Sequence, residues 1–279
     1  MLRIVSDTST LYSSAQAVEA GFNVSPLSVT IGGESFREFD EIHPADFVAK
    51  IKEGNLPTSS QPAIGEVVEL YEKYPEDEIL NISMAAGLSG TYDSAVAAVQ
   101  ACEAEDRITV INSRTLCGPH RHMVERAVAW AREGLGRFEI KEKLEELMKS
   151  EKSFLIPADF AYLRRGGRLS PLVSYVGQTI SLAPVMTLTE DARQLTVAGV
   201  RRGFMNAVKY AAGALEKLGV GKGWKVYVTH AHALDKAEKA RDLLQEMFPQ
   251  AQFEIYLLSP AFITQGGPGC VALQAIRND

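Results

Sequence analysis

The chain has 279 residues, 46% hydrophobic and 23% charged, so it is a globular protein with room for two α/β domains or one large one. Its net charge of −6 argues against nucleic acid as a partner, because phosphate binding needs a basic patch. Cys102, Cys117 and Cys270 are scattered and form no CxxC, which excludes a disulfide framework and suits a reducing compartment. No apolar run approaches the ~20 residues of a membrane span, and Asp7 interrupts any signal-peptide core, so a bacterial-type cytoplasmic protein without stable membrane insertion is expected.

In chain order, apolar strand candidates fall at 2–6, 23–31, 78–84, 107–111 and 153–157, then at 185–188, 195–200, 225–230 and 253–258. Between most of them apolar residues recur every three or four positions, as in "AIGEVVELYEKY", "HMVERAVAWAREG", "EIKEKLEELMKS", "RGFMNAVKYAAGALEKLG" and "ALDKAEKARDLLQEMF". Strand–helix alternation predicts an α/β fold with largely parallel sheets and helices on both faces. The charged helix near residue 150 suggests a boundary, with one α/β domain over 1–155 and a second over 156–279. "LTEDARQLTV" reads as a hairpin turning at Glu190 and Asp191.

Four strand-to-helix turns are crowded with small hydroxyls: "SDTST" after the first strand, "PTSSQPA" before a helix expected at Ala63, "GLSGTYDSA", and "NSRTLCGPH". In the second, Pro62 suits a first helical turn and Ser60 a cap. One such turn is a plain helix cap. Four in one domain point to a shared anion site, because helix N-termini carry unpaired N–H groups and partial positive charge.

The common anion signatures are missing. There is no GxxxxGK[ST] and no GxGxxG after the first strand. "GLSGT" misses the nucleophile elbow GxSxG, since Thr91 stands where glycine is required. Cys117, His120 and His122 open a helix in which i and i+2 point apart, and His230 and His232 sit at a strand end. None is assigned to a metal. "YLRRGGRLSPLVSYVGQTISLAPVMTL" ends one helix at Arg164 and Arg165 and opens another at Ser170 and Pro171, with Arg168 between them. Its arginines are either exposed helix-end residues or a cationic fork for phosphate or an acidic partner. The apolar run 172–182 is either a core helix or the wall of a greasy cavity.

In order, "IVSDTST", "TSSQP", "GLSGTYDSA", "INSRTLCGP", "YLRRGGRLS", "VAGVRRGFMNAV" and "TQGGPGCVAL" resemble the motifs of the DegV family, bacterial fatty-acid-binding proteins that include the lipid-carrying subunit of fatty acid kinase. The match runs from residue 3 to residue 273. The resemblance implies two α/β domains with one long-chain fatty acid buried between them, its tail in an apolar tunnel to which the C-terminal domain contributes. It assigns the carboxylate to Ser59, Ser60, Gly87, Ser89, Gly90 and Thr91, with Gln265 from the closing motif. Arg168 and Arg201 would handle phosphate charge or dock a partner. The ligand is the fatty acid itself, with no cofactor and no catalytic residue, and the implied partner is a separate fatty acid kinase.

This chain departs from the family pattern at Ala85 and Ala86, where the family carries serines, at Asn112 for Asp, and at Gln265 for His. Gln265 cannot shuttle a proton near neutral pH as His can, and Ala86 offers no donor. The resemblance implies, as the leading expectation, a non-enzymatic fatty-acid carrier that presents its ligand to a kinase, a hand-off that these departures weaken. The alternatives are a divergent module with no kinase partner, or an enzyme using Ser89 as nucleophile on a small anionic substrate. The last lacks an identifiable base.

Overall fold

The computed structural model describes residues 1–102, 105–173 and 182–279. The chain divides into two compact units, one of Met1–Lys149 with Ser259–Ala261, the other of Ser150–Leu258 with Phe262–Asp279. The sequence expectation put the boundary at residue 155. The chain enters the second unit six residues earlier, at Ser150, because Lys152–Ile156 is a strand of the six-stranded sheet.

The first unit contains β1 (Leu2–Asp7), α1 (Ser14–Ala20), β2 (Asn23–Ser25), β3 (Ser28–Ile31), β4 (Glu34–Arg37), α2 (Pro44–Lys52), β5 (Thr58–Ser60) and α3 (Ile64–Glu72). It continues through β6 (Glu78–Ser83), α4 (Thr91–Ala101), β7 (Ile108–Asn112), α5 (Cys117–Arg132) and α6 (Arg137–Met148). Its main sheet is parallel throughout, in the order β2-β1-β6-β7. Strand β6 is buried from Ile79 to Ser83, as expected of a strand covered on both faces. Asn81 donates to the Tyr71 hydroxyl of α3 at 2.7 Å, and Ile79 packs with Val67 and Ala98, so this face lies under α3 and α4. Leu80 and Ile82 alternate to the opposite face. Strands β4-β3-β5 form a small antiparallel sheet.

The single strand expected over 23–31 is two. Pro26 has no N–H to donate to a ladder, and the Leu27 N–H goes to the Thr8 hydroxyl at 3.0 Å, so β2 pairs with β1 while β3 starts the small antiparallel sheet. Helix α3 begins at Ile64 with Ala63 at its N-cap and no side-chain cap; Ser60 closes β5 instead of capping a helix.

The second unit contains β8 (Lys152–Ile156), α7 (Phe160–Gly166), β9 (Leu182–Leu188), β10 (Leu195–Arg202), α8 (Phe204–Lys217), β11 (Trp224–His230), α9 (Leu234–Met247), β12 (Gln252–Leu257), α10 (Pro260–Gly266) and β13 (Val271–Arg277). Its sheet runs β10-β9-β8-β13-β11-β12. The chain has the expected α/β class, but the expectation of largely parallel sheets holds for the first unit's main sheet only. In the second unit β11 and β12 pair in parallel, and every other pairing between the described strands of the sheet is antiparallel. The reason is β13, which inserts between β8 and β11 and opposes both. One face of this sheet packs Phe154, Val226, Val228 and Leu273 against Val208, Leu215, Ala237 and Leu244 of α8 and α9.

The hairpin of β9 and β10 turns through Glu190 and Asp191, with Thr189 and Gln194 closing it at 2.8 Å. Pro171–Val173 forms a single 3-10 turn, and Val173 is buried with Leu163 and Met186. The apolar run 172–182 otherwise lies outside the described residues.

Candidate functional site

In a parallel α/β sheet, ligands settle beyond the strand C-termini where the chain reverses its direction of winding, because diverging loops leave a crevice there. With the order β2-β1-β6-β7, that point lies between β1 and β6. The turns "SDTST" and "MAAGLSGT" leave these two strands, so the hydroxyl-rich loops found in the sequence meet at the place the topology provides.

Asp7 ties the two together. Its Oδ1 accepts the Ser9 N–H and its Oδ2 the Met84 N–H, both at 2.9 Å, and the residue is fully buried. From Met84 the loop is pinned amide by amide. Ala85 N–H donates to the Thr115 carbonyl at 2.9 Å, and Ala86 N–H to Asn112 Oδ1 at 3.2 Å. Asn112 Oδ1 also accepts the Arg114 N–H at 3.0 Å, so at this position an amide oxygen orders the loop as a carboxylate could. Ser89 N–H returns to the Ala85 carbonyl at 3.3 Å.

The Ser89 and Thr91 hydroxyls lie 2.8 Å apart at the start of α4, and the Thr91 N–H points at Ser89 Oγ at 3.3 Å. Helix α4 has Gly90 at its N-cap and no side-chain cap there. Ser89 and Gly90 are half-buried, Thr91 is buried and Gly87 is exposed. The result is a pair of neutral donors beside a helix N-terminus, which suits a carboxylate without a paired cation.

Ser59 and Ser60 are neighbours on β5 and so point to opposite faces. Ser59 pairs with fully buried Val29 and shares its face, whereas Ser60 is exposed. The structure thus separates the two serines. The residue that brings the "TSSQP" and "GLSGT" turns together is Gln61: its side-chain amide packs on Gly90, 3.0 Å from where a Cβ there would stand. Within "TSSQP" nothing local marks Gln61 for this contact. A glycine facing it across the next turn was the available signal.

In the second unit, Gln265 is the penultimate residue of α10 and its side-chain oxygen packs directly on Gly166, so that a Cβ there would collide with it. Arg168 folds back on the same residue, donating to the Gly166 carbonyl at 2.5 Å. Arg201 lies over the Tyr210 ring, 3.9 Å from its centroid, and donates to the Val200 carbonyl at 2.8 Å. The Arg168 carbonyl accepts the Leu195 N–H at the start of β10, and Arg201 lies near the strand's other end. At about 3.3 Å per residue the two arginines are separated by roughly 20 Å of strand and cannot form one phosphate fork.

His120 is fully buried, with Nδ1 2.5 Å from Ser9 Oγ and Nε2 3.0 Å from the Ile82 carbonyl. That pattern fits a neutral ring donating from Nε2, and burial holds its pKa below the usual value. His230 Nδ1 accepts the Ala233 N–H at 3.2 Å ahead of α9. Among the described residues, no group of three or more His, Cys, Asp or Glu is placed to hold a metal. No helix among them is long and apolar enough to cross a membrane.

The chain is thus a two-unit α/β protein, one unit of which carries a hydroxyl pair at a helix N-terminus beside its topological switch point. The chain belongs to the DegV family, whose model, described as "Uncharacterised protein, DegV family", matches residues 1–278. A DegV domain-containing protein of Listeria innocua is 31% identical over 278 residues, covering 98% of this chain and 97% of the relative. One from Halalkalibacterium halodurans is 31% identical over 276 residues, with 98% and 97% covered. Among solved structures, a DegV family protein from Thermus thermophilus described for its fatty acid binding superposes with a TM-score of 0.90 at 26% identity, with 99% of each chain covered. DegV from Bacillus subtilis, described as a fatty acid binding protein, gives 0.87 at 25% identity, again with 99% of each covered.

Proposed function

We propose that this protein is a non-enzymatic carrier of a long-chain fatty acid, whose carboxylate is received by Ser89 and Thr91 at the N-terminus of α4 and whose acyl chain occupies an apolar tunnel. The observation that carries the reading is the hydroxyl pair, 2.8 Å apart, beside an uncapped helix start at the switch point of a parallel sheet. The likeness to relatives described as fatty acid binding supports it. The Gln61 amide lies against Gly90 beside the turn, and Ser60 faces away from Ser59. Three buried free cysteines are in keeping with a cytoplasmic carrier.

Presentation of the carboxylate to a separate kinase is part of this reading. Arg168 and Arg201 serve it at two distinct places, one on the Gly166 loop and one at the far end of β10. Gln265 in place of a titratable side chain favours the second reading, a lipid-binding module that is a poor kinase partner. A serine-dependent enzyme is disfavoured: Ser89 Oγ faces Thr91 and its N–H, and both nitrogens of His120 are engaged by Ser9, Ser6 and the Ile82 carbonyl. The test is mass spectrometry of lipid extracted from the purified protein, together with titration of the stripped protein with palmitate. Lipid-free protein with no saturable uptake would overturn the carrier reading.

A further inference from the structure

Two buried carboxylates meet at the end of β1. Asp7 receives the Met84 N–H, which starts the head-group turn. One residue on, the Thr8 hydroxyl accepts the Leu27 N–H at 3.0 Å, so its own proton is free to be directed to Glu38 Oε1 at 2.5 Å. The other oxygen of Glu38 accepts the N–H of Ala261 at 2.8 Å, across 223 positions of sequence. Ala261 belongs to the first turn of α10, and Ser259–Ala261 is the stretch of the late chain that clusters with the first unit. Glu38 itself is fully buried, and its own N–H is fixed on the Leu27 carbonyl at 2.9 Å.

We infer that Glu38 is a positioning residue for the closing motif: through Thr8 on one oxygen and Ala261 on the other, it clasps the first turn of α10, the helix that carries Gln265, to the turn that Asp7 ties to the head-group loop. The chemistry is that of a distant carboxylate satisfying a helix-start N–H that Ser259 does not reach itself, a charge-assisted bond about twice as strong as a neutral one. Both oxygens accept, the pattern of an ionised group. Burial opposes that charge and the charge of Asp7 adds to the opposition; the bonds from Thr8 and Ala261 favour it, and Glu38 titrates at about 7. The hold on Ala261 is therefore strongest above neutral pH and weakens below it.

The inference about binding rests on the carrier reading; the clasp does not, and the experiment separates them. Amide exchange at Ala261, followed by NMR at pH 8 and pH 6 with the intrinsic pH dependence removed, should show protection falling about five-fold in the wild type. Glu38→Gln retains an acceptor for Ala261 and should remove the pH step, and Glu38→Ala should lose protection at both pH values. In parallel, palmitate affinity at pH 8 should fall about ten-fold in Glu38→Ala and stay within about three-fold in Glu38→Gln. A wild type with no step at Ala261, a step that persists in Glu38→Gln, or undiminished palmitate affinity in a folded Glu38→Ala would overturn the positioning role. If Glu38→Ala does not fold, the comparison of wild type with Glu38→Gln decides it. If palmitate does not bind the wild type, the carrier reading fails and the exchange measurement alone decides the clasp.

Discussion

Ser89 has two jobs open to it, and the distances weigh them. As a local cap it holds the Thr91 N–H at 3.3 Å, a long bond. As a ligand donor it shares its hydroxyl with Thr91 at 2.8 Å, and a bound carboxylate could take over that proton. Removing a donor from a buried anion costs about 1–3 kcal/mol, so Ser89→Ala should weaken palmitate binding roughly ten- to a hundred-fold. The ligand-free protein should melt within a few degrees of the wild type. A large fall in the ligand-free melting temperature would instead make Ser89 a structural cap.

Glu38 and His120 pull pH dependence in opposite directions. The folded pKa of Glu38 is raised from 4.5 to about 7, so its contribution to stability is fully present below 4.5 and is lost as pH rises through 7. The size is on the order of 3 kcal/mol. His120 is depressed by burial, so its contribution is present above 6.5 and is lost as pH falls below that. Melting curves of wild type and Glu38→Gln between pH 5 and 8 should therefore converge at the acid end, with the wild type losing ground toward pH 8. Parallel curves would show that Glu38 does not titrate in this range. There is no conflict with the weaker hold on Ala261 at low pH: protonation relieves the burial of a charge for the whole fold while weakening one bond.

At the scale of elements, β13 decides the second unit. "VALQAIR" is buried from Val271 to Ile276 and pairs on both sides, Leu273 lying opposite Val228 and Phe154. Leu273→Pro would remove an N–H from the centre of the sheet and a side chain from its core, at a cost of several kcal/mol. The second unit should then lose its cooperative unfolding transition, read by the fluorescence of Trp224, while the first unit's Trp130 reports a folded environment. Sequence reasoning passed over this strand because its residues were absorbed in the closing Gly-rich motif, and a strand buried on both faces shows no alternation. The short strands β4 and β5 were illegible for the opposite reason, being polar and three or four residues long.

At the scale of the molecule, the first unit is not a contiguous piece of chain. Met1–Lys149 expressed alone lacks Ala261 and so leaves Glu38 buried without one of its two donors. That fragment should unfold at a lower temperature than the first-unit transition of the full chain, and Glu38→Gln should narrow the gap, because a neutral side chain suffers less from the missing N–H. An equal transition temperature would show that Ser259–Ala261 adds nothing to the unit.

The sequence by itself determined the α/β class, the hydroxyl-rich turns and the family motifs, because strand–helix periodicity and turn chemistry are local and written in consecutive residues. The hairpin at Glu190 and the neighbouring hydroxyls of Ser89 and Thr91 were legible for the same reason. Only the tertiary structure decided which turns meet. Gln61 against Gly90, Gln265 against Gly166, Ser59 inward with Ser60 outward, and Arg168 far along β10 from Arg201 all depend on register and packing between distant segments. Glu38 shows the limit most plainly: in sequence it is one acidic residue in the charged stretch "REFDE", and it becomes a buried clasp because the fold brings Thr8 and Ala261 to its two oxygens.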